Sequence, residues 1–319
     1  MSLGGCALYY MNLKIFLIML LIAMICYASP TFAGQSIITQ SEGVACGENS
    51  SNTSGAEKAA LADAEKKARE NVLAYIKEQT ADQNLRSNLL SLYEQSSVKV
   101  INEISKGWDK VKPECYNMIV QAEVVPTENT APMKKRGMKV VETVAASSII
   151  DSPSAPLNVN VWTDKSDYSA GEKVKISLKG NKPFYVRVVY KDAGGNLVQL
   201  LPNPFRGDNF FYGGTLNYLP SQHDRFELEV GAPFGQEEIV VYASTAPLGE
   251  IDVKPAGTVY EVKMAYADIG RRTRGVGGVR TIPLASTPQS NVEAAQTERP
   301  REMVMAEFSE SSVTIKTRE

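Results

Sequence analysis

The sequence predicts an α+β N-terminal domain, with a helix packed on a small sheet, followed by an all-β sandwich-like domain. Two observations carry this prediction. Residues 54–79 place apolar side chains at helical spacing, and segments of alternating residues flank them. From residue 157 onward, short alternating runs are separated by glycine and proline turns without a helical pattern between them, which is typical of a sandwich or barrel.

The first 33 residues have the three parts of a secretory signal peptide. A short basic start at residues 11–14 precedes an apolar run at residues 15–25, and small residues precede a cleavage point after Ala33. The run is shorter than the roughly 20 apolar residues of a transmembrane helix. We expect cleavage after Ala33, with an uncleaved anchor as the alternative, and Met11 is a candidate start because residues 1–10 lack positive charge.

Charge and hydropathy limit the classes of partner. Nothing after Ala33 is long and apolar enough to cross a membrane, so we expect no transmembrane span after signal cleavage. Loss of Lys14 with the signal changes the formal charge from −2 to −3, whereas a nucleic-acid binder shows a basic excess. We therefore expect a periplasmic or secreted protein, with association to the outer membrane as a further option, that binds an envelope protein or glycan.

The cysteines support export. Two of the four, Cys6 and Cys26, leave with the predicted signal, and Cys46 and Cys115 remain as an even pair. In an oxidising compartment this pair predicts a disulfide, with two free buried thiols as the alternative.

The predicted α+β domain covers residues 34–126. We expect a short strand and turn up to Cys46, and then a helix that begins at a capping box at Ser54 and continues to Gln79. A second helix near residues 85–93 and two strands complete it. Those strands are expected to meet across a turn at residues 106–108, so that the disulfide ties the end of the first strand to the start of the last.

The remaining chain divides into three predicted segments. Residues 127–156 form a linker rich in proline and serine, residues 157–255 form the sandwich, and residues 256–319 form a partly flexible extension. The extension contains a basic loop at residues 271–275. Residues 303–316 are expected to form a final edge strand or hairpin.

An ordered string of residues runs through the predicted sandwich. Its members are Trp162, Tyr168, Gly171, Glu172, Pro183, Tyr185, Tyr190, Asp192, Gly195, Leu201, Pro202, Asn203, Pro233, Gly235, Glu237, Ala243 and Ser244. Over residues 157–248 this string resembles the domain of unknown function 4384 family. The resemblance implies a fold and a bacterial setting, and it implies no reaction because the domain has no established activity.

The first domain resembles a second family. Residues 42–45, the alanine-rich helix from Ala60 to Val72, and the alternating strand from Tyr116 to Val124 are similar to the N-terminal domain of the flagellar protein FlgT and to Lpp-twenty-type lipoproteins. This resemblance, over residues 36–125, implies an accessory of a flagellar or outer-membrane secretion assembly. The chain lacks the cysteine context of a lipoprotein cleavage site.

Catalytic and cofactor motifs do not emerge from the sequence. His223 is the only histidine, it lies in a polar segment, and neither a metal-ligand cluster nor a Gly-x-Ser-x-Gly nucleophile elbow accompanies it. We therefore expect no catalytic residue, no metal and no cofactor, and we interpret the chain as a non-catalytic binding or structural module. The alternative is a periplasmic enzyme or enzyme subunit with an unrecognised site.

One aromatic segment is the candidate partner-binding surface. Its residues are Asn203, Phe205, Phe210, Phe211 and Tyr212. Loops on a rigid β scaffold commonly carry binding residues, and exposed aromatic side chains make good anchors. The alternative, which the residue types favour, is that Phe205, Phe210 and Phe211 close the open end of the sandwich.

Overall fold

A computed structural model of the chain describes residues 34–47, 53–126, 152–275 and 305–319. The predicted signal segment, most of the predicted linker, and residues 276–304 of the predicted extension lie outside these described residues. Among the described residues, no helix combines the length and the hydropathy that a bilayer span requires.

The described residues between 34 and 126 contribute three adjacent antiparallel strands and two helices, which we call the helix-covered region. In chain order its elements are β1 (Gly34–Cys46), α1 (Thr53–Gln79), α2 (Gln83–Glu94), β2 (Ser97–Trp108) and β3 (Cys115–Val125). Strand β3 lies between β1 and β2, helix α1 packs on β1 and β3, and α2 packs on α1. The predicted long helix, second helix and last strand are confirmed.

Helix α1 approaches the sheet closely because the contacting residues are small. Its buried residues recur every fourth position, at Ala60, Ala64, Ala68, Val72 and Ile76, which places them in one row on the helix. Opposite this row, a Cβ atom added to Gly43 would lie 1.8 Å from the Ala60 carbonyl oxygen and 2.6 Å from the Ala64 nitrogen. The helix therefore rests directly on the backbone of β1 at Gly43.

The predicted disulfide is confirmed. Cys46, the last residue of β1, is bonded to Cys115, the first residue of β3, and the two residues are direct partners in the strand register. The bond closes a loop with a sequence separation of 69. In the chain-entropy model a loop of this length contributes about 4 kcal/mol to the free energy of unfolding.

Residues 152–275 form the β-rich region. Its elements are β4 (Val159–Thr163), β5 (Asp167–Ser169), β6 (Ile176–Gly180), β7 (Phe184–Lys191), β8 (Leu197–Leu201), β9 (Phe210–Phe211), β10 (Leu216–Leu219), β11 (Gln236–Ser244), β12 (Val253–Ala256), β13 (Val259–Val262) and α3 (Tyr266–Arg274). A small sheet in the order β10–β6–β4 shares one apolar core with β7, β8 and β11. The predicted sandwich-like architecture is confirmed.

The C-terminal strand β14 (Met305–Arg318) lies in the middle of the large sheet. That sheet has the order β12–β13–β8–β7–β11–β14–β1–β3–β2, so β14 pairs with β11 of the β-rich region on one side and with β1 on the other. The predicted strand therefore forms, but the expected edge position is wrong. The described residues from Gly34 to Glu319 belong to one compact unit, and the domain boundaries drawn at residues 126, 157 and 255 stay predictions.

Two local expectations are also wrong. Residues 106–108 continue β2, and the connection to β3 follows Trp108, where the Asp109 carboxylate accepts hydrogen bonds from the Val111 and Lys112 backbone N–H groups. The basic residues near 271 lie in helix α3 rather than in a loop. In α3, Arg274 donates to Glu123 of β3 and to Glu310 of β14, each at 2.6 Å.

A buried carboxylate on β14 contacts both regions. Glu307 accepts hydrogen bonds from the Tyr75 hydroxyl of α1 at 2.8 Å and from the Leu157 backbone N–H at 2.7 Å, and its Oε2 lies 2.7 Å from the Lys182 ammonium. Burial first, and then the negative charge of Glu307, raise the pKa of the Tyr75 hydroxyl. One side chain of the C-terminal strand thus joins the long helix to the sandwich.

Candidate functional site: an aromatic surface on the β-rich region

The loop after β8 is held by a buried asparagine. Asn203 donates from Nδ2 to the Leu200 carbonyl oxygen at 2.7 Å, and its Oδ1 accepts from the backbone N–H groups of Phe205 and Arg206, each at 2.9 Å. An asparagine that closes its own turn in this way fixes the backbone of the next residues. The loop therefore presents Phe205, whose side chain is 54% exposed, from a rigid base.

An ion pair fastens the same loop from the other side. Arg206 donates to the Asp224 carboxylate at 2.9 Å, and both side chains are largely buried. Asp224 also accepts from the Ser221 backbone N–H at 2.6 Å. The Arg206 guanidinium lies 5.0 Å from the centre of the Phe211 ring, within the range of a cation–π contact. Arg206 thus connects the loop after β8 to the Phe211 ring.

Phe211 belongs to the interior. It is buried, and its ring lies 5.7 Å from that of Phe184 in the sandwich core. Asn203 is buried as well, so two of the five predicted site residues support the loop from within. The interpretation of Phe211 as a residue that closes the sandwich fits this position.

Three aromatic rings form a row that we call the aromatic ladder, consisting of Tyr185, Phe210 and Tyr212. The Tyr185 and Phe210 rings are 5.0 Å apart, and the Phe210 and Tyr212 rings are 5.5 Å apart in an edge-to-face arrangement. Tyr212 is 72% exposed, while the other two side chains are half-buried. Each ring limits the motion of the next, so the ladder is a preformed surface rather than three independent side chains.

Sequence reasoning missed Tyr185 as a member of this surface. Strand β7 pairs with β9 so that Tyr185 is the direct partner of Phe210, and Phe184 is the partner of Phe211. Successive residues of a strand point to opposite faces, so an inward-facing Phe184 implies an outward-facing Tyr185. This alternation was the signal that the sequence offered. The pairing of the two strands could not be read from the alternation alone.

A second exposed aromatic group lies on the small sheet. Trp162 of β4 and Tyr218 of β10 are both register partners of Ser177 on β6, so the two aromatic residues flank a serine on one face. The Lys175 ammonium lies 3.8 Å from the centre of the Tyr218 ring. Both aromatic side chains remain more than one third exposed. This pair was not predicted as a site.

His223 lies at the surface near Ser221, where its backbone N–H donates to the serine Oγ at 3.3 Å. Across the four described ranges, no group of three or more His, Cys, Asp or Glu side chains is arranged to hold a metal ion.

Comparison with known families bears on the β-rich region. Residues 167–247 match the family described as "Domain of unknown function (DUF4384)". The match runs from β5 to β11 and includes the aromatic ladder. No curated protein and no solved structure matches the chain.

The family-pattern residues inside this match mainly build turns and buried contacts. The Tyr168 hydroxyl donates to Asp164 at 2.8 Å, and Gly171 has a φ of 78°, a left-handed conformation that favours glycine. The Tyr190 hydroxyl donates to Glu237 at 2.7 Å. Burial first, and then this hydrogen bond, raise the pKa of the Tyr190 hydroxyl.

Proposed function

We propose that this protein is a non-catalytic module of the bacterial cell envelope that binds an envelope protein or glycan through the aromatic ladder and Phe205. The observation that carries this proposal is the exposure of two aromatic side chains on fixed backbone: Phe205, on a loop held by buried Asn203 and by the Arg206–Asp224 ion pair, and Tyr212, which follows β9 and packs on Phe210. Rigid aromatic side chains give large contact area at low entropic cost, which is why they dominate binding surfaces.

Two features support an envelope location. The first 33 residues have the layout of a signal peptide. The Cys46–Cys115 disulfide fits a compartment in which disulfides persist, such as the periplasm or the exterior.

The proposed role of the helix-covered region is docking to a larger assembly. Its resemblance to the FlgT N-terminal and Lpp-twenty-type domains suggests an accessory of a flagellar or outer-membrane secretion apparatus. This part of the proposal rests on analogy of sequence pattern, so it is tested separately from the ladder.

Site-specific photocrosslinking in cells tests the ladder. A benzoylphenylalanine replaces Tyr212 in one strain and Lys254 in another, since Lys254 is exposed on strand β12 of the same region and is the matched control. We expect a reproducible envelope adduct from position 212 and none from position 254. Adducts from both positions in equal yield, or from neither, would contradict binding at the ladder.

A benzoylphenylalanine at Val111, which is 87% exposed in the β2–β3 connection of the helix-covered region, tests the docking proposal, and its adducts are identified by mass spectrometry. Recovery of basal-body or secretion-pore components together with the tagged protein supports an assembly accessory. Recovery of soluble enzymes alone would overturn that role and leave the ladder proposal to be judged by its own crosslinks.

A further inference from the structure

The β-rich region contains a cavity of about 250 Å³ that is lined by residues of β6, β7, β8, β11, β13 and β14. Its walls are mainly apolar, with Ile176, Leu200, Leu228, Ile239, Val259 and Ile315 among them. Five polar residues also line it: Tyr190 and Glu237, and the exposed Glu227, Glu229 and Thr258. A largely apolar cavity with a few convergent polar groups is the usual form of a small-ligand site.

Glu237 is the buried carboxylate of this cavity. It is 2% exposed, and its carboxylate accepts from the Tyr190 hydroxyl at 2.7 Å and from the Thr317 hydroxyl at 2.8 Å. Both donors are neutral. A carboxylate offers about four lone-pair positions, so capacity for a further donor remains.

The other buried glutamates each form an ion pair. Glu307 has the Lys182 ammonium at 2.7 Å, and Glu123 has the Arg274 guanidinium at 2.6 Å. Within the described ranges, Glu237 is the one buried glutamate for which no lysine or arginine forms an ion pair. Burial of a carboxylate without a cation is costly, and the two neutral hydrogen-bond donors supply no counter-charge, which a cationic ligand would provide.

The mouth of the cavity is negatively charged, as is Glu237. Glu227 and Glu229 lie at its edge, and both are exposed. Lys173 pairs with Glu227 at 2.7 Å, which leaves the local balance negative. An acidic mouth raises the local concentration of cations and disfavours anions.

We propose that this cavity binds a small organic amine with a short aliphatic chain, whose ammonium group donates to Glu237 and whose chain packs against the apolar walls. The volume is below the usual range of about 300–1,000 Å³ for drug-sized ligands, which limits the ligand to a small molecule. This site is distinct from the aromatic ladder, and its test is independent of the ladder's partner.

Isothermal titration of the full chain with n-hexylamine, n-hexanol and hexanoate tests the proposal. We expect hexylamine to bind at least about tenfold more tightly than hexanol, and hexanoate to show no binding, because only the ammonium pairs with Glu237. Equal affinities for the amine and the alcohol would overturn the proposal.

Three variants localise the effect. Glu237→Gln removes the charge and is expected to abolish the preference for the amine, whereas Tyr190→Phe keeps the carboxylate and is expected to retain it. Thr258→Trp, at an exposed position on the cavity lining, is expected to block both ligands without affecting folding. An unchanged preference in Glu237→Gln, or undiminished binding in Thr258→Trp, would overturn the assignment, and Thr258→Trp decides if Glu237→Gln does not fold.

A capped Gly-Lys-Gly peptide is titrated in parallel, because a lysine side chain ends in the same ammonium group. Weaker binding of the peptide than of hexylamine supports a small-molecule site. Tighter binding of the peptide would assign the cavity to a protein side chain and overturn the proposal of a small amine.

Discussion

The two regions of the molecule fill their interiors by different means. In the helix-covered region, a row of alanines on α1 lies against the backbone at Gly43, and the Cys46–Cys115 disulfide closes the sheet. In the β-rich region, large side chains such as Phe184 and Leu178 fill the space between two sheets, and the described residues there contain no disulfide.

This difference reflects how much apolar area each contact buries. Burial stabilises in proportion to apolar area, at about 25 cal/mol per Å², so an alanine contributes less than a leucine or phenylalanine. The contact of α1 with β1 depends more on close backbone approach, and a covalent bond joins β1 to β3. The β-rich region depends on the volume of its side chains.

The largest expected effect removes the covalent bond. Replacing both cysteines, Cys46→Ser with Cys115→Ser, is expected to lower the free energy of unfolding by about 4 kcal/mol, because the unfolded chain regains the entropy of an open loop. Guanidinium denaturation of the variant and of the oxidised parent measures the difference. A shift of less than about 1 kcal/mol would contradict the claim that the bond secures this region.

The next effect tests the close helix approach. Gly43→Ala is expected to cost about 3 kcal/mol, because the new Cβ meets the backbone of α1, which cannot move without shifting the helix. Gly47→Ala is the matched control, since a Cβ there meets nothing within 4 Å. Thermal denaturation compares the two variants, and equal losses would show that the backbone contact at Gly43 is not required.

A smaller effect concerns the carboxylate that the two regions share. Glu307→Gln has a single carbonyl oxygen, so it keeps an acceptor for only one of the Tyr75 hydroxyl, which donates to Oε1, and the Leu157 N–H, which donates to Oε2. It also leaves the Lys182 ammonium without its counter-charge. We expect a loss of about 2 kcal/mol, below the 3–5 kcal/mol typical of fully buried pairs because Lys182 is partly exposed. Urea denaturation of Glu307→Gln, of Lys182→Met and of the double variant forms a cycle, and an additive cycle would contradict the coupling.

The smallest expected effect is the removal of an exposed ring of the ladder. Tyr212→Ala is expected to change the free energy of unfolding by less than about 1 kcal/mol, because the ring is mostly exposed. The adjacent Phe211→Ala is the contrasting variant and is expected to cost about 3 kcal/mol, because its ring is buried against Phe184. Thermal denaturation of the two single variants gives this contrast, and similar losses would mean that Tyr212 supports the fold.

Local patterns in the sequence were sufficient for several elements. The spacing of Leu61, Ala64, Ala68 and Val72 predicted α1, and the even cysteine pair predicted the disulfide. The cluster of arginines near residue 271 led to the prediction of a loop, which was wrong. Arginine is a good helix former, and Ile269 and Thr273 are buried at helical spacing.

Long-range pairing explains what the sequence could not provide. The alternation in residues 305–318 fits an edge strand and a central strand equally, because register and neighbours are fixed only in the folded sheet. The same reason applies to the ladder, where Tyr185 joins Phe210 only through the pairing of β7 with β9. Individual strands were predictable, whereas their neighbours were not.

The position of β14 has a functional consequence. If one region docks to an assembly and the other binds a partner, the shared strand and Glu307 make them a single mechanical unit. The central claim of this account is therefore that the two regions unfold together.

Each region contains one tryptophan, Trp108 on β2 and Trp162 on β4, so fluorescence can follow the two separately. The decisive measurement is guanidinium denaturation of Trp162→Phe, which reports Trp108, and of Trp108→Phe, which reports Trp162, with far-ultraviolet circular dichroism recorded on each. The account predicts that fluorescence and circular dichroism give the same midpoint within each variant, as for a single cooperative unit. Separate midpoints for the two probes in either variant would contradict the claim that β14 joins the regions into one folding unit.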